Sequence, residues 1–252
     1  MTGAGGLTED GFLGGRLRVL QPKVGFRSSA DAVLLAAAVP ARPGDAVLEI
    51  GCGAGVAALC LLARVPSAAV TGLELQPDYA ALARQNALRN GLALEVVEGD
   101  LTAMPAALRG RSFDHVMMNP PYLRAGGGTA ATDPGRDAAL RERAPLAAWI
   151  AAGLRRLRPG GTLTLIQSAA RLGDILAACG TGTVTILPVQ PRRGRPAGRV
   201  IVAVRKGRRG DLRILAPLVL HRGESHEGDR DSHSAEAEAI LRAAAPLPVA
   251  DR

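Results

Sequence analysis

The sequence is short of aromatic rings and of lysine. One tryptophan, two tyrosines and three phenylalanines amount to 2% of 252 residues, so a surface for a large ligand has few rings to stack on and must rely on charge. Lys23 and Lys206 are the only lysines, and every other basic residue is arginine. The three cysteines, Cys52, Cys60 and Cys179, are odd in number and lack CxxC spacing. That excludes a disulfide framework and a zinc site and suits the reducing cytoplasm. No apolar run approaches the ~18 residues of a membrane span; Ala32 to Val39 is the longest candidate. Residues 1–11 hold Glu9 and Asp10 but no basic residue and no apolar stretch, so a secretory signal is not expected. A cytoplasmic protein with no membrane or metal partner is expected. A monomer is the default state, because the residues say nothing about assembly.

What the chain does have is core and localised charge. Hydrophobic residues make up 47%, ample for one large α/β domain with additions. The net charge is +8 with a pI near 10.5. Between Pro188 and Arg222 stand Arg192, Arg193, Arg195, Arg199, Arg205, Lys206, Arg208, Arg209, Arg213 and Arg222 against the single acid Asp211. That segment carries more than the whole net charge. The arginine and alanine bias of the chain accounts for part of it, but a general bias would have spread the charge, so the cluster reads as a footprint for a polyanion.

Residues 1–44 read as an N-terminal extension. Residues 1–11 are Gly-rich and expected to be loose, Arg16–Gln21 alternates as a half-buried strand that pairs with Val24–Phe26, and a helix follows over Ala32–Val39 with Ser29 as N-cap. Residues 45–222 alternate strands (Ala46–Ile50, Val70–Leu75, Leu94–Val97, Phe113–Met118, Thr162–Gln167) with helices (to Arg64, Pro77–Asn90, Pro145–Leu157, Ala169–Cys179). Strands this apolar argue for a parallel sheet covered on both faces. Trp149 falls on the apolar face of its helix with Leu146, Ile150 and Leu154 and reads as core. Leu123–Asp137 has the length of a lid or substrate loop. Thr183–Val189 and Val200–Arg205 flank the Arg-rich loop as an antiparallel hairpin at the sheet edge. Residues 223–252 read as a polar tail with His226 and His233, leading to a short helix, Ala235–Ala244, capped by Ser234.

Two stretches carry chemistry. Asn119-Pro120-Pro121-Tyr122 ends the strand Phe113–Met118. Pro120 biases Asn119 toward extended backbone and Pro121 fixes its own φ, which presents the Asn119 amide and the Pro120 carbonyl as two preset acceptors. Two acceptors can hold the N–H bonds of a conjugated amine or amide and turn its lone pair toward an electrophile, while Tyr122 offers a face for a planar group. The same four residues also fit a strand followed by a Pro-rich turn. Gly51-Cys52-Gly53-Ala54-Gly55 is a GxGxG turn between a strand and a helix, where backbone can approach a ligand and the helix N-terminus offers free N–H groups. A dinucleotide fold prefers a glycine at 56, which here is Val56. Glu74 closes the second strand, where it can accept ribose hydroxyls; Asp100 follows the third, where it can hold an adenine amino group; Glu49 ends the first, with an amino or sulfonium-side contact in reach. Any one of them is often just a solvated helix cap, but three at successive strand ends indicate a nucleoside cofactor in the crevice that open α/β sheets use.

Glu49-Ile-Gly-Cys-Gly-Ala-Gly55, Glu74, Glu98-Gly-Asp100 and Asn119-Pro-Pro-Tyr122, in that order, resemble the class I S-adenosylmethionine-dependent methyltransferases that act on amino groups. Ser28-Ser29-Ala30-Asp31 before a helix and the Arg-rich hairpin after the core are similar to the bacterial tRNA adenine-N6 methyltransferases that modify valine tRNA beside the anticodon, over about residues 12–245. The resemblance implies a Rossmann-like α/β fold with a seven-stranded, mostly parallel sheet, an antiparallel C-terminal edge hairpin and the short N-terminal hairpin and helix. It implies S-adenosylmethionine as cofactor, with Gly51, Gly53 and Gly55 lining its methionine part, Asp31 near its charged end, Glu74 on the ribose and Asp100 on the adenine. Asn119, Pro120 and Tyr122 would hold the target base, and Arg192, Arg193, Arg195 and Arg199 the RNA, a tRNA being the partner implied. The chain departs from some relatives in having Leu123 where a second aromatic stands. The reaction implied is in-line methyl transfer without a metal, and His115, mid-strand beside Asp114, reads as structural. Release-factor glutamine methyltransferases also use Asn-Pro-Pro-Tyr, but with a helical N-terminal domain for which the 45 or so residues before the first core strand are too few. A ribosomal RNA guanine-N2 methyltransferase also fits these residues, as does an RNA-binding module that kept the fold without the reaction.

Overall fold

The computed structural model describes residues 6–122, 144–180, 182–208, 210–223 and 232–250. The loop Leu123–Asp137, Arg209 and His226 lie outside the described residues. The N-terminal extension opens with β1 (Leu7–Phe12) and β2 (Leu17–Pro22), an antiparallel hairpin pairing Leu7 with Pro22 through Phe12 with Leu17. The residue pattern predicts a loose N-terminus and Val24–Phe26 as the partner of β2; the structure pairs β2 with β1 instead. Polar Thr8, Glu9 and Asp10 hide the strand pattern of β1, yet they are matched across the fold. Gln21 Nε2 donates to Asp10 Oδ2 at 2.8 Å, and Glu9 pairs with Arg18 and Arg89. α1 (Ala30–Ala38) follows Ser29, whose side chain makes no capping bond.

The core continues as β3 (Ala46–Ile50), α2 (Val56–Arg64), β4 (Ala69–Glu74), α3 (Pro77–Arg89), β5 (Leu94–Glu98), the single turn α4 (Ala106–Arg109), β6 (Phe113–Met118), α5 (Leu146–Arg156), β7 (Leu157–Ser168), a 3₁₀ turn and α6 (Leu172–Ala178). β8 (Thr183–Arg192), β9 (Arg199–Arg205), β10 (Arg213–Ile214), β11 (Leu218–His221) and α7 (Ala235–Ala243) complete it. Among the described residues β3 to β11 form one nine-stranded sheet in the order β10-β8-β9-β7-β6-β3-β4-β5, with β11 also on β8, and β1 and β2 form a sheet of their own. Only β9 runs against its neighbours β7 and β8. The predicted hairpin is therefore present but not at the edge, because β10 and β11 extend the sheet parallel to β8. Strands of two and four residues carry too little alternation to be read from sequence.

Alternate residues of the strands supply two cores. Leu48, Ile50, Val116 and Met118 face α5 and α6 on one side, while Val47 and Met117 join α1, α2 and the C-terminal segment on the other. That segment is no solvated tail: Ala237, Ile240, Leu247 and Val249 are buried, and Leu247 N–H donates to the Ala37 carbonyl at 2.8 Å.

The N-terminal hairpin is docked by two asparagines one turn apart, Asn86 on α3 and Asn90 at its C-terminal cap. Asn86 exchanges hydrogen bonds with the backbone of Leu20 (2.8 and 3.0 Å), and Asn90 does the same with Arg18 (3.0 and 2.9 Å). The two side chains stand where a third strand would, satisfying the open edge of β2. Asn86 also reaches the Ala54 carbonyl at 3.0 Å, so the extension is tied to the glycine turn. β3 pairs with β4 on one side and β6 on the other, and the crevice expected of an open α/β sheet lies beyond the carboxyl ends of those strands.

Candidate active site

A cavity of about 660 Å³ opens at that crevice. Ile50, Gly51 and Gly53 form its floor after β3, Glu74 enters from the end of β4, Asp100 follows β5, and Asn119–Tyr122 follow β6. Phe26, Asp31, Trp149 and Arg199 complete the wall.

The floor requires glycine. Gly51 has φ of +73°, and a Cβ there would stand 2.7 Å from the Trp149 ring, closer than two carbons can approach. Trp149, expected as core, is half-buried, with one side on the core cluster and the other against Gly51 and the cavity. Its indole N–H is buried without a partner among the described residues. Helical periodicity places a side chain on a face and cannot show that the face ends at a cavity.

Glu74 is buried and rigidly held: Oε2 accepts from Gly53 N–H at 2.8 Å and Oε1 from Gln76 N–H at 2.9 Å. Burial pushes its pKa up, against the pull of these bonds. Each oxygen keeps a second lone pair for a ligand. Asp100 turns Oδ1 to the backbone and hydroxyl of Thr102, at 2.7 and 2.8 Å, and its other oxygen makes no hydrogen bond among the described residues.

Two residues expected on the cofactor are elsewhere. Glu49 does not line the cavity; it is 3% exposed, accepts from Ala58 N–H at 2.9 Å in the first turn of α2, and burial raises its pKa to about 8. Its position in β3 turns the side chain to the α2 side of the sheet. Gly55 caps α2 at φ +86° and packs on Ala83 and Leu94, where a Cβ would meet both near 3.2–3.3 Å. It serves helix packing and does not line the cavity.

Asp31 binds two protein partners through one oxygen. Tyr122 Oη donates to Oδ2 at 2.6 Å and Arg199 Nε donates to it at 2.7 Å. Arg199 thus stands in the cavity wall, while Arg192, Arg193 and Arg195 do not line the cavity. Arg193 and Arg195 are exposed at the β8–β9 hairpin, and Arg192 donates to the carbonyls of Arg222 and Gly223. The predicted four do not form a single cluster. Tyr79, on α3, accepts from Phe26 N–H at 2.8 Å and donates to its carbonyl at 3.1 Å, which fixes Phe26 over Gly53. No sequence signal marked this clamp.

At Asn119, Oδ1 is buried and has no hydrogen-bond partner among the described residues. An unpartnered buried acceptor is costly in a folded protein, so at a cavity wall it is a socket for a donor from a ligand. The neighbouring Pro120 carbonyl accepts from Gln167 Nε2 at 3.1 Å and keeps one lone pair. His115 lies on the body of β6, its Nε2 3.1 Å from Asp45 Oδ2, and does not line this cavity. Among the described residues there is no group of three or more metal-ligating side chains, and no helix is long and apolar enough to cross a membrane.

A family model described as methyltransferase small domain matches residues 29–178. A tRNA1(Val) (adenine(37)-N6)-methyltransferase of Aeromonas hydrophila is 29% identical over 234 residues, 87% of this chain and 93% of that one. The protein of the same name from Porphyromonas gingivalis is 32% identical over 64% of this chain and 66% of its own length. A release factor glutamine methyltransferase of Deinococcus radiodurans is 40% identical over 52% of this chain and 48% of its own. The chain thus spans less than two thirds of the length of the last two relatives. Among solved structures, one described as a predicted O-methyltransferase from Agrobacterium tumefaciens superposes with a TM-score of 0.70 at 29% identity, covering 86% of this chain and 98% of that one.

Proposed function

The chain belongs to the methyltransferase small domain family, among the class I S-adenosylmethionine-dependent methyltransferases, and from that premise we propose that it methylates the N6 amino group of an adenine in RNA, a tRNA first of all, in the cytoplasm. The unpartnered Oδ1 of Asn119 carries this reading. Among the described residues it is an acceptor without a donor, set beside a cavity whose other wall fits a nucleoside.

The residues present suit S-adenosylmethionine. Gly51 and Gly53 present bare backbone to the cavity, Glu74 offers two lone pairs to ribose hydroxyls, and the oxygen of Asp100 that makes no hydrogen bond among the described residues can take an adenine amino group. When bound, the cofactor would supply a methyl group activated by its sulfonium, with the neutral thioether as the leaving group. Asn119 Oδ1 and the Pro120 carbonyl accept the two N–H bonds of the target amine, which turns the nitrogen lone pair out of conjugation and holds it in line. Tyr122 forms the wall on which the base rests. The methylated nitrogen, cationic once the new bond is made, is acidic enough to lose its proton to water.

A nucleic acid is favoured over a protein amide by two observations. Arg193 and Arg195 project into solvent on the β8–β9 hairpin. Similarity to the Aeromonas hydrophila enzyme covers 87% of this chain, whereas that to the release factor glutamine methyltransferases of Deinococcus radiodurans and Cereibacter sphaeroides covers 52% and 73%. The test is to digest total tRNA, ribosomal RNA and release factors from cells with and without the gene and to compare modified residues. Loss of N6-methyladenosine from one tRNA is expected; loss of methylglutamine from release factors, or of a methylguanine from ribosomal RNA, overturns the assignment.

A further inference from the structure

We propose that Gln167 is a positioning residue for methyl transfer, fixing the Pro120 carbonyl as the second acceptor of the target amine; this rests on the amino-group reading above. The tetrapeptide cannot hold itself. Pro120 and Pro121 have no N–H, and the ladder between β6 and β7 ends at Met118 with Leu165. Two carbonyls next to the reacting position therefore lack strand partners.

Gln167 supplies them. It lies two residues past Leu165 on β7 and is fully buried. Its Nε2 donates to both the Pro120 and the Pro121 carbonyl, each at 3.1 Å. Its Oε1 accepts from Ser168 N–H at 2.8 Å, which forbids the flipped amide, since the flip would set oxygen against two carbonyls. A buried amide is tolerated only when its hydrogen bonds are made, and here all of them fall on Ser168 and the motif. One lone pair of the Pro120 carbonyl is taken and the other stays for the substrate. An acceptor clamped in this way cannot drift as the amine arrives, and small displacements at a reacting centre are expensive in rate.

The experiment compares wild type with Gln167→Met, which keeps volume but removes both donors, using tRNA lacking the modification and methyl-labelled S-adenosylmethionine. The expected result is a kcat lowered about 10- to 100-fold, with cofactor affinity by calorimetry within about twofold of wild type. A Gln167→Met kcat within about twofold of wild type, or a loss that merely parallels a loss of cofactor affinity, overturns the proposal. If Gln167→Met does not fold, Gln167→Asn decides by the same criteria, because it withdraws the amide from the carbonyls by about one bond length while remaining polar. A wild type that methylates no amino or amide nitrogen overturns the underlying reading and the proposal together. An active wild type beside an equally active Gln167→Met overturns the proposal alone.

Discussion

Tyr122 and Asp31, 91 residues apart in sequence, share a 2.6 Å hydrogen bond from phenol to carboxylate across the mouth of the cavity. With Arg199 on the same carboxylate oxygen, the bond ties the first turn of α1, the loop after β6 and the start of β9 into one wall. Burial first, and then the Asp31 charge, hold the phenol far above its usual pKa. Tyr122 therefore stays protonated and works as a donor and a flat face, with no part in proton transfer.

Tyr122→Phe keeps the ring and loses the bond. A hydrogen bond to a charged acceptor contributes about 1.5–3 kcal/mol, so the urea midpoint should drop accordingly, while kcat/KM for RNA falls less than in Tyr122→Ala. The alanine variant also loses base stacking, ~1–3 kcal/mol. Equal losses of kcat/KM in the two variants would show that the hydroxyl, and not the ring, serves the substrate.

Glu49 makes stability pH-dependent. Its folded pKa of about 8 lies above the ordinary 4.5, so the folded state keeps a proton that the unfolded chain gives up between those values. Stability is then highest below about pH 4.5 as far as this group is concerned and declines as pH rises toward 8. Glu49→Gln preserves an acceptor for Ala58 N–H and removes the titration. The variant should outlast wild type in urea at pH 8 by a few kcal/mol, at ~1.4 kcal/mol per unit, and match it near pH 5. An unchanged difference at both pH values would mean that Glu49 does not titrate in this range.

The parallel core strands and the site motifs were legible because each rests on local chemistry: apolar runs, turn glycines, and a polar residue at each strand end. What was not legible depends on long-range pairing. β1 is a strand because Gln21, Arg18 and Arg89 satisfy its acids. Glu49 and Glu74 look alike in sequence, and the register of Glu49 with Gly72 sets both on the same face of the sheet, but Glu74 stands two residues nearer the carboxyl edge, so it enters the cavity while Glu49 stays under α2. Gln167 gave no signal, since its meaning lies in two proline carbonyls 46 and 47 residues away.

The arginines should separate by role. Neutralising Arg193 and Arg195 to Ser is expected to weaken RNA binding nearly uniformly across sequences and to flatten the slope of log affinity against log salt by about one per residue. Arg199→Ala breaks the Asp31 pair within the cavity, so it should lower stability and turnover with little change in that slope. Filter binding at several salt concentrations checks both. Equal slope changes for Arg199 and Arg193 would place Arg199 on the RNA backbone.

Gly51→Ala tests the floor of the site. The new methyl would sit at φ +73°, which costs about 1–2 kcal/mol for an L residue, and would press on a tryptophan ring 2.7 Å away. That ring is wedged against the core beside Ile150 and cannot swing clear like the end of a flexible side chain. The ring or the glycine turn must shift, and the turn carries Gly53 N–H, whose bond to Glu74 aims the carboxylate. Cofactor affinity measured by calorimetry should therefore fall roughly tenfold or more, equivalent to at least ~1.4 kcal/mol. Trp149→Leu in the same chain removes the collision but not the backbone strain, so the double variant should regain part of the loss, with a coupling of about 0.5–3 kcal/mol in the double-mutant cycle. Strict additivity would mean that the turn is strained by its dihedral alone and that Trp149 does not bear on it.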